Sequence, residues 1–432
     1  MFAFRSASIG AVCLLFAEAL TAAPSTDLAT SDPSAAMRQT PSSTSISSLQ
    51  GAVRALWDTS PEVQAARAEV EAARARARAA AQPLYNPELS LDAENADVNR
   101  RTAGLGLTLD LSGKGRARSA QGEAAQRARE AGYDLVRRNV ATRWLKAWFA
   151  AALAGKQNEL GRLRVALMQR FDDLAELRLK VGDISSPERD LAGLALGEAQ
   201  IQQATLASNA ASARAALLAI SDSIEPSTLP AGMPPLVSNI TPLPADELPE
   251  LVEARAQQDS AEAGVQAARR NRIPDPTVRL TGGQVRVGPV NDRVIGLSVS
   301  IPLPVLNTGR ADVEAARAEA DAAIANLRAR QLLLKASQQE TRARYTALRE
   351  ASQAFRAGRA AAFEERTALL EKLWRAGEIG TSDYLVQLKQ SLDTALSGFD
   401  LESQTWQAWF DYLAAAGRLT DWIDGAMKET SP

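Results

Sequence analysis

The sequence predicts a mainly α-helical chain with a small β part, built from one unit that occurs twice. Three observations predict it. Alanine recurs at heptad spacing along stretches long enough for helices of about 65 residues. Four short stretches alternate apolar and polar residues, as half-buried strands do. Three landmarks appear twice, in the same order, which is the mark of an internal duplication.

Composition narrows the chemistry. The 432 residues carry a formal net charge of −2, no histidine and one cysteine, Cys13. A nucleic-acid partner would need a basic face, which this balance does not supply. Without histidine the commonest general base and metal ligand is missing, so Ser-His-Asp, Cys-His and zinc chemistries are excluded. One cysteine cannot make a disulfide framework. With aromatics at 5%, the chain reads as closely packed helices and not as an enzyme, and no metal or cofactor is expected.

At the N-terminus, Arg5 precedes an apolar run from Ile9 to Ala17, and small residues follow at Ala19, Ala22 and Ala23. Residues 1–23 therefore read as a secretory signal peptide, cleaved after Ala19 or near Ala23, with Cys13 inside it. Residues 24–48, rich in Ser, Thr and Pro, read as an extended arm. No later segment approaches the ~20 apolar residues of a spanning helix. The exported chain is then either soluble or enters a membrane as strands.

The first repeat is assigned to 49–222 and the second to 250–419, with a Pro-rich linker at 223–249 and a tail at 420–432. One landmark pair is Tyr85-Asn-Pro-Glu-Leu-Ser-Leu91 with Pro274-Asp-Pro-Thr-Val-Arg-Leu280. The second pairs the alternating stretches 101–116 and 293–310, each ending in Gly-Arg. The third pairs Lys180-Val-Gly-Asp-Ile-Ser-Ser-Pro-Glu188 with Arg375-Ala-Gly-Glu-Ile-Gly-Thr-Ser-Asp383. Each repeat reads as helix, strand, hairpin, strand, long helix, turn, helix.

Leu89, Leu91 and Ala93 alternate with polar residues, as do Leu105, Leu107, Leu109 and Leu111. In the second repeat Val278 and Leu280 are continued by Val285 and Val287, then Ile295, Leu297, Val299 and Ile301 alternate again. Hairpin turns fall at Asp97–Arg101 and Gly288–Asp292. Long helices are predicted from Gly115 to Leu179 and from Gly309 to Trp374. Shorter ones, near Leu49–Gln82, Pro187–Ile220, Asp246–Arg272 and Ser382–Ala416, are about half as long, so two stacked end to end match one long helix. Ala311, Ala315, Ala318, Ala322, Ala325, Ala329, Leu332 and Ala336 form an unbroken heptad seam, and a weaker one runs through Ala117, Ala120, Ala124, Ala128, Ala131 and Leu135. Alanine at a seam lets helix axes approach closely. Trp144, Trp148 and Phe149 on one helix and Trp406, Trp409 and Tyr412 on another are read as packing against the linker at Glu225–Pro249.

Four strands cannot close into a membrane barrel, and an open edge cannot face lipid. The chain must therefore pool strands with copies of itself, eight in a dimer or twelve in a trimer. The long helices of the copies would extend the barrel as a helical tube.

These residues resemble the TolC-like outer-membrane efflux proteins, over nearly all of the mature chain from Leu49 to Leu419. The resemblance rests on Ser60-Pro61-Glu62-Val63 leading to Asn86-Pro87, on Pro274-Asp275-Pro276, on Gly296-Leu-Ser-Val-Ser-Ile-Pro-Leu303 and on the two Gly-containing turns. The Ile-Pro-Leu-Pro segment is most similar to the heavy-metal branch, the CzcC-like and CusC-like proteins. The resemblance implies a homotrimer whose four strands per chain make a 12-stranded barrel in the outer membrane, above a long coiled-coil helical tunnel in the periplasm. It implies an outer-membrane channel of a tripartite RND-type efflux system, partnered by a periplasmic adaptor (membrane fusion) protein, an inner-membrane RND pump and outer-membrane lipid. It implies no catalytic role and no cofactor; heavy-metal cations are the favoured cargo.

The same resemblance places an adaptor-docking tip at Val181, Gly182, Asp183, Ile184 and Ser185, and at Ala376, Gly377, Glu378, Ile379 and Gly380. These turns read equally as helix-turn-helix connections, with Ser185 and Glu188 forming a capping box, and the two readings are compatible. Glu188 and Asp383 fall where the family's constriction acids lie, Asp383 more closely because Pro187 departs from the pattern. Three copies would make a ring of like charge that favours cations; either acid also suits the first turn of a helix. The rival readings are the duct of a type I secretion or drug-efflux system, which shares the fold, and a non-pore periplasmic coiled-coil scaffold.

Overall fold

The computed structural model describes residues 49–95, 98–221, 232–237, 240–358 and 363–425. The chain divides into two units, Met1–Thr44 and Ser45–Pro432. The expected signal peptide and arm lie outside the described residues, as do parts of the linker and tail.

The elements follow the duplicated plan. The first repeat contains α1 (Leu49–Thr59), α2 (Pro61–Ala81), β1 (Glu88–Glu94), β2 (Val98–Thr108), α3 (Lys114–Lys180) and α4 (Ser186–Leu218). The second contains α5 (Pro249–Asn271), β3 (Thr277–Val287), β4 (Val290–Ser300), α6 (Arg310–Ala357), α7 (Phe363–Arg375), α8 (Thr381–Ala415) and α9 (Leu419–Ile423). No helix among the described residues is long and apolar enough to cross a membrane.

The helix between Leu49 and Gln82 is split by Pro61, which takes the first position of α2, where its missing N–H is harmless. α3 runs unbroken for 67 residues, about 100 Å at 1.5 Å per residue. Asp110 holds its start, accepting the backbone N–H groups of Gly113 at 2.8 Å, Lys114 at 3.0 Å and Gly115 at 2.8 Å. Desolvation pushes this carboxyl up, but the three N–H donors outweigh it and hold the acid below its ordinary range.

The counterpart of α3 is not one helix. The expected span Gly309–Trp374 is interrupted: α6 ends at Ala357, Gly358 turns extended at φ −83 and ψ 163, and α7 resumes at Phe363. The described break falls on a glycine, whose helical cost is about 1 kcal/mol.

α3 is the spine of the wall. It packs against α2 and α4 on one side and against α5 and α8 on the other, while α6 packs on α5 and α8 and α7 packs on α8. The stacked pairs α2/α4 and α5/α8 thus alternate with the long elements α3 and α6/α7. Two cores lie along it. The first joins α1, α3, α6, α8 and α9 through Trp144, Trp148, Phe149, Trp406, Trp409 and Tyr412, with Ile240 from the linker side. That is the aromatic packing expected from the sequence. The hydroxyl of Tyr345 donates to the Pro235 carbonyl there, and burial drives this phenol's pKa upward. The second core, at the far end of the wall, gathers Met168, Phe171, Trp374, Tyr384 and Leu388. Between the cores, buried Arg164 of α3 reaches Gln202 of α4 and Asp393 of α8, so one guanidinium ties two short helices across the long one.

The four strands form one antiparallel sheet in the order β1-β2-β3-β4. Leu89 pairs with Leu105, Leu105 with Leu280 and Leu280 with Leu297, so one face carries an apolar row across all four strands. The opposite face carries Ser90, Gly104, Thr281 and Gly296. Details differ from expectation. The turns are tighter: Arg100 and Arg101 already pair with β1, and the second turn is Gly288-Pro289 alone. Leu109, Leu111 and Ile301 fall just beyond the strands. Val285 and Val287 do not extend the apolar row. The register is continuous, and their odd offset from Val278 and Leu280 puts them on the other face.

Where sheet meets helices, the landmark prolines frame a buried ion pair. Lys114 Nζ lies 2.8 Å from Asp275 Oδ2, with side chains 12% and 3% exposed. The Tyr85 hydroxyl donates to the same oxygen at 2.7 Å. The first repeat thereby grips the second through one matched pair of landmarks, Tyr85 from the first and Asp275 from the second. Removing one partner of a buried pair strands the other charge, so Asp275→Ala should lose about 3–5 kcal/mol. Tyr85→Phe should lose about 1 kcal/mol. Unfolding of both variants in detergent checks the ranking; equal losses would contradict it.

Candidate functional site

Two regions are the candidates for function: the exposed sheet and the far end of the wall. In the sheet the apolar row has no partner within the chain. Leu89 is 72% exposed, Leu297 71% and Ile295 84%. A row this long of bare leucine, valine and isoleucine is unfavourable in water and suited to an apolar medium. Both edge strands, β1 and β4, carry unpaired outer backbone groups.

At the far end the two turns are near copies. After α3, the Asp183 N–H donates to the Arg178 carbonyl at 2.9 Å and the Gly182 N–H to Leu179 at 3.1 Å. After α7, the Glu378 N–H donates to Leu373 at 3.0 Å and the Gly377 N–H to Trp374 at 3.1 Å. This double bond is a Schellman ending, and it needs a left-handed residue. Gly182 at φ 82 and Gly377 at φ 73 supply it. Each Gly-acid-Ile motif then sends its isoleucine back into protein, since Ile184 and Ile379 both pack against the second core.

The structure therefore brings the two predicted tips together over one core and turns the rest of each outward. Val181, Gly182, Asp183 and Ser185 are exposed, as are Ala376, Gly377, Glu378 and Gly380. The core itself was missed in the sequence. Phe171, Trp374 and Tyr384 are scattered along the chain, and only the packing of the two repeats against each other brings them within stacking distance, 4.6 to 5.2 Å between centroids. Burial pushes the Tyr384 hydroxyl up to about 12.

The two acids differ. The Glu188 carboxylate folds back on its turn, accepting the Ser185 N–H at 2.7 Å and the Ser185 hydroxyl at 2.8 Å. These bonds, the backbone one first, hold Glu188 below the ordinary glutamate range. Asp383, in the first turn of α8, is exposed and has no ion pair among the described residues. Among those residues no group of acids is arranged to hold a metal ion.

Because the folded pKa of Glu188 is depressed, its contribution is present above the unfolded pKa and is lost as pH falls through the folded one. Amide protection over Ser185–Arg189, corrected for the intrinsic pH dependence of exchange, should fall in that acidic window. In Glu188→Gln it should be lower at neutral pH and flat; an unchanged profile would refute the cap.

Comparison with known proteins agrees with this geometry. The chain is 27% identical over 259 residues to the cobalt-zinc-cadmium resistance protein CzcC of Cupriavidus metallidurans, a match taking in 56% of this chain and 60% of that protein. Its fold is that of the CmeC outer membrane channel of Campylobacter jejuni, with a TM-score of 0.71 at 14% identity over 88% of this chain and 89% of that one. CusC is similar, with a TM-score of 0.67 at 15% identity over 85% and 91% of the two chains. The outer membrane efflux protein family matches residues 53–221 and 245–418. The chain belongs to that family, whose members are efflux channels and not enzymes.

Proposed function

We propose that this chain is the outer-membrane exit duct of a tripartite RND-type efflux system and that it works as a homotrimer. The observation that carries this reading is the sheet, with one bare apolar face and two open edges, continuing into a wall of helices about 100 Å long. Such a sheet is stable only when copies close it into a barrel within lipid. The wall then becomes a tunnel reaching into the periplasm of a Gram-negative cell, delivered there by a cleaved signal peptide. Energy would come from an inner-membrane pump.

The exposed parts of the twin turns, Val181–Ser185 and Ala376–Gly380, are the surface offered to a periplasmic adaptor. Asp383 is the better candidate for the constriction. Its carboxylate is uncommitted, whereas that of Glu188 is spent on Ser185. Three copies of Asp383 around one axis would attract cations and repel anions. Heavy-metal cations are the favoured cargo, a reading supported by the name of the relative CzcC. The absence of histidine suits a passage that must not hold its cargo.

Purified trimers in planar bilayers should show cation-selective conductance, and Asp383→Ala should raise the conductance while lowering the selectivity severalfold. Silent trimers, mutant included, would overturn the pore. For cargo, a strain deleted for this gene should tolerate severalfold less cobalt, zinc or cadmium while its tolerance of organic drugs is unchanged. The reverse pattern would assign the chain to drug efflux.

A further inference from the structure

The chain contains one junction between its first and second repeats, where α3 meets α5 and β2 meets β3. We infer that this internal junction is the register template for the contact between copies, where the second repeat of one chain meets the first repeat of the next. The inference rests on the homotrimer proposed above and fixes which residues face each other in it.

The flanks of the wall are where the contact must fall. α6 turns Val313, Ala320 and neighbouring residues toward α5, and its heptad seam lies on the opposite side. Ala311, Ala315, Ala318, Ala322, Ala325 and Ala329 are all exposed, and Leu332 is 71% exposed. The α3 seam is different: Ala124, Ala128, Ala131 and Leu135 are buried within the chain. At the other flank, α2 buries Val63, Val70, Ala73 and Ala77 against α3. Its reverse side carries Ala65, Ala68, Ala75 and Ala79 exposed and Ala72 half-exposed, again at heptad spacing.

The α3–α5 contact supplies the register. Gly264 sits opposite Gln121, and Gly132 opposite Glu253. The Gly-Arg landmark carries α3 onto α6, and the Asn-Pro and Asp-Pro landmarks carry α5 onto α2. Gln121 and Gly264 then become Ala315 and Ala75; Gly132 and Glu253 become Asn326 and Gln64. In this register Ala311 faces Ala79, Ala318 faces Ala72, Ala322 faces Ala68 and Ala325 faces Ala65 of the next copy. Two alanine seams permit the close antiparallel approach that a larger side chain on either flank would block. Charges agree at the sheet end, where Asp312 faces Arg78 and Glu314 faces Arg76, all four exposed and without an ion pair among the described residues.

The sheet leads independently to the same closure. Leu105 pairs with Leu280 across the internal junction and Leu107 with Val278. Carried across the repeat, these become Leu297 with Leu91 and Val299 with Leu89 of the next copy. The apolar row then runs unbroken around the barrel, and Ser298 faces Ser90 on the polar side.

Cysteine pairs test the register, in a Cys13→Ser background that leaves the chain free of other thiols. Oxidised membranes carrying Ala315→Cys with Ala75→Cys, or Ser298→Cys with Ser90→Cys, should give covalent dimers and trimers in non-reducing gels. Ala315→Cys with Ala68→Cys, displaced by seven residues or about 10 Å, should give at least tenfold less. Ala318→Leu should abolish the detergent-resistant trimer while Ala318→Ser retains it. Conducting trimers linked by the displaced pair, or by neither, would overturn the register and leave the channel standing. Linking of Ala315→Cys to itself would show a two-fold contact and also overturn it. Native chains that form no trimer would overturn both readings.

Discussion

The backbone of a strand edge must find hydrogen-bond partners, and in lipid only another strand can provide them. Everything distinctive about this chain follows from having two such edges, on β1 and β4, and an apolar face with nothing over it. The sheet of one chain is satisfied along its interior and unsatisfied at both ends. The helices repeat the condition in another chemistry. α3 is covered on both sides, while α2 and α6 each keep one alanine-lined side bare. Sheet and wall are incomplete at the same two places, because each is bounded by the same duplication.

Duplication also explains where the structure is held most firmly. The two repeats meet through matched landmarks: Tyr85 and Asp275, one from each, share a hydrogen bond, and Lys114 completes the group with little exposure. At the opposite end the two turns share a core through Ile184 and Ile379. A motif useful in one copy was thus turned into a contact between copies. Arg164 does the same midway, joining α4 to α8 across α3.

Much of this was legible in the sequence because its signals are local and periodic. The alternation of Leu105 and Leu107 marked a strand, and Ser185 with Glu188 marked a helix start. Other features were not legible because they depend on parity or on partners. Val285 and Val287 look like a continuation of Val278 and Leu280, but one extra step in a period of two moves them across the sheet. The alanine run from 311 to 336 announced close packing without saying against what, and the protomer leaves it bare. The second-core aromatics Phe171, Trp374 and Tyr384 carry no shared local pattern. Pro187 already set Glu188 apart from Asp383, and the fold of the Glu188 carboxylate onto Ser185 gives that difference its geometry.

The interruption at Gly358 has a mechanical meaning. α3 passes through both cores without a break, from Trp144 in one to Phe171 in the other, and so acts as a strut that resists bending. Its counterpart enters the first core at Tyr345 and the second at Trp374 as separate helices, α6 and α7. Stiffness along the wall is therefore unequal. Force applied at the far end is carried through the unbroken hydrogen-bond ladder of α3, whereas the ladder of α6 stops at Gly358. A tube assembled from such units would owe its resistance to bending to one continuous strut per subunit.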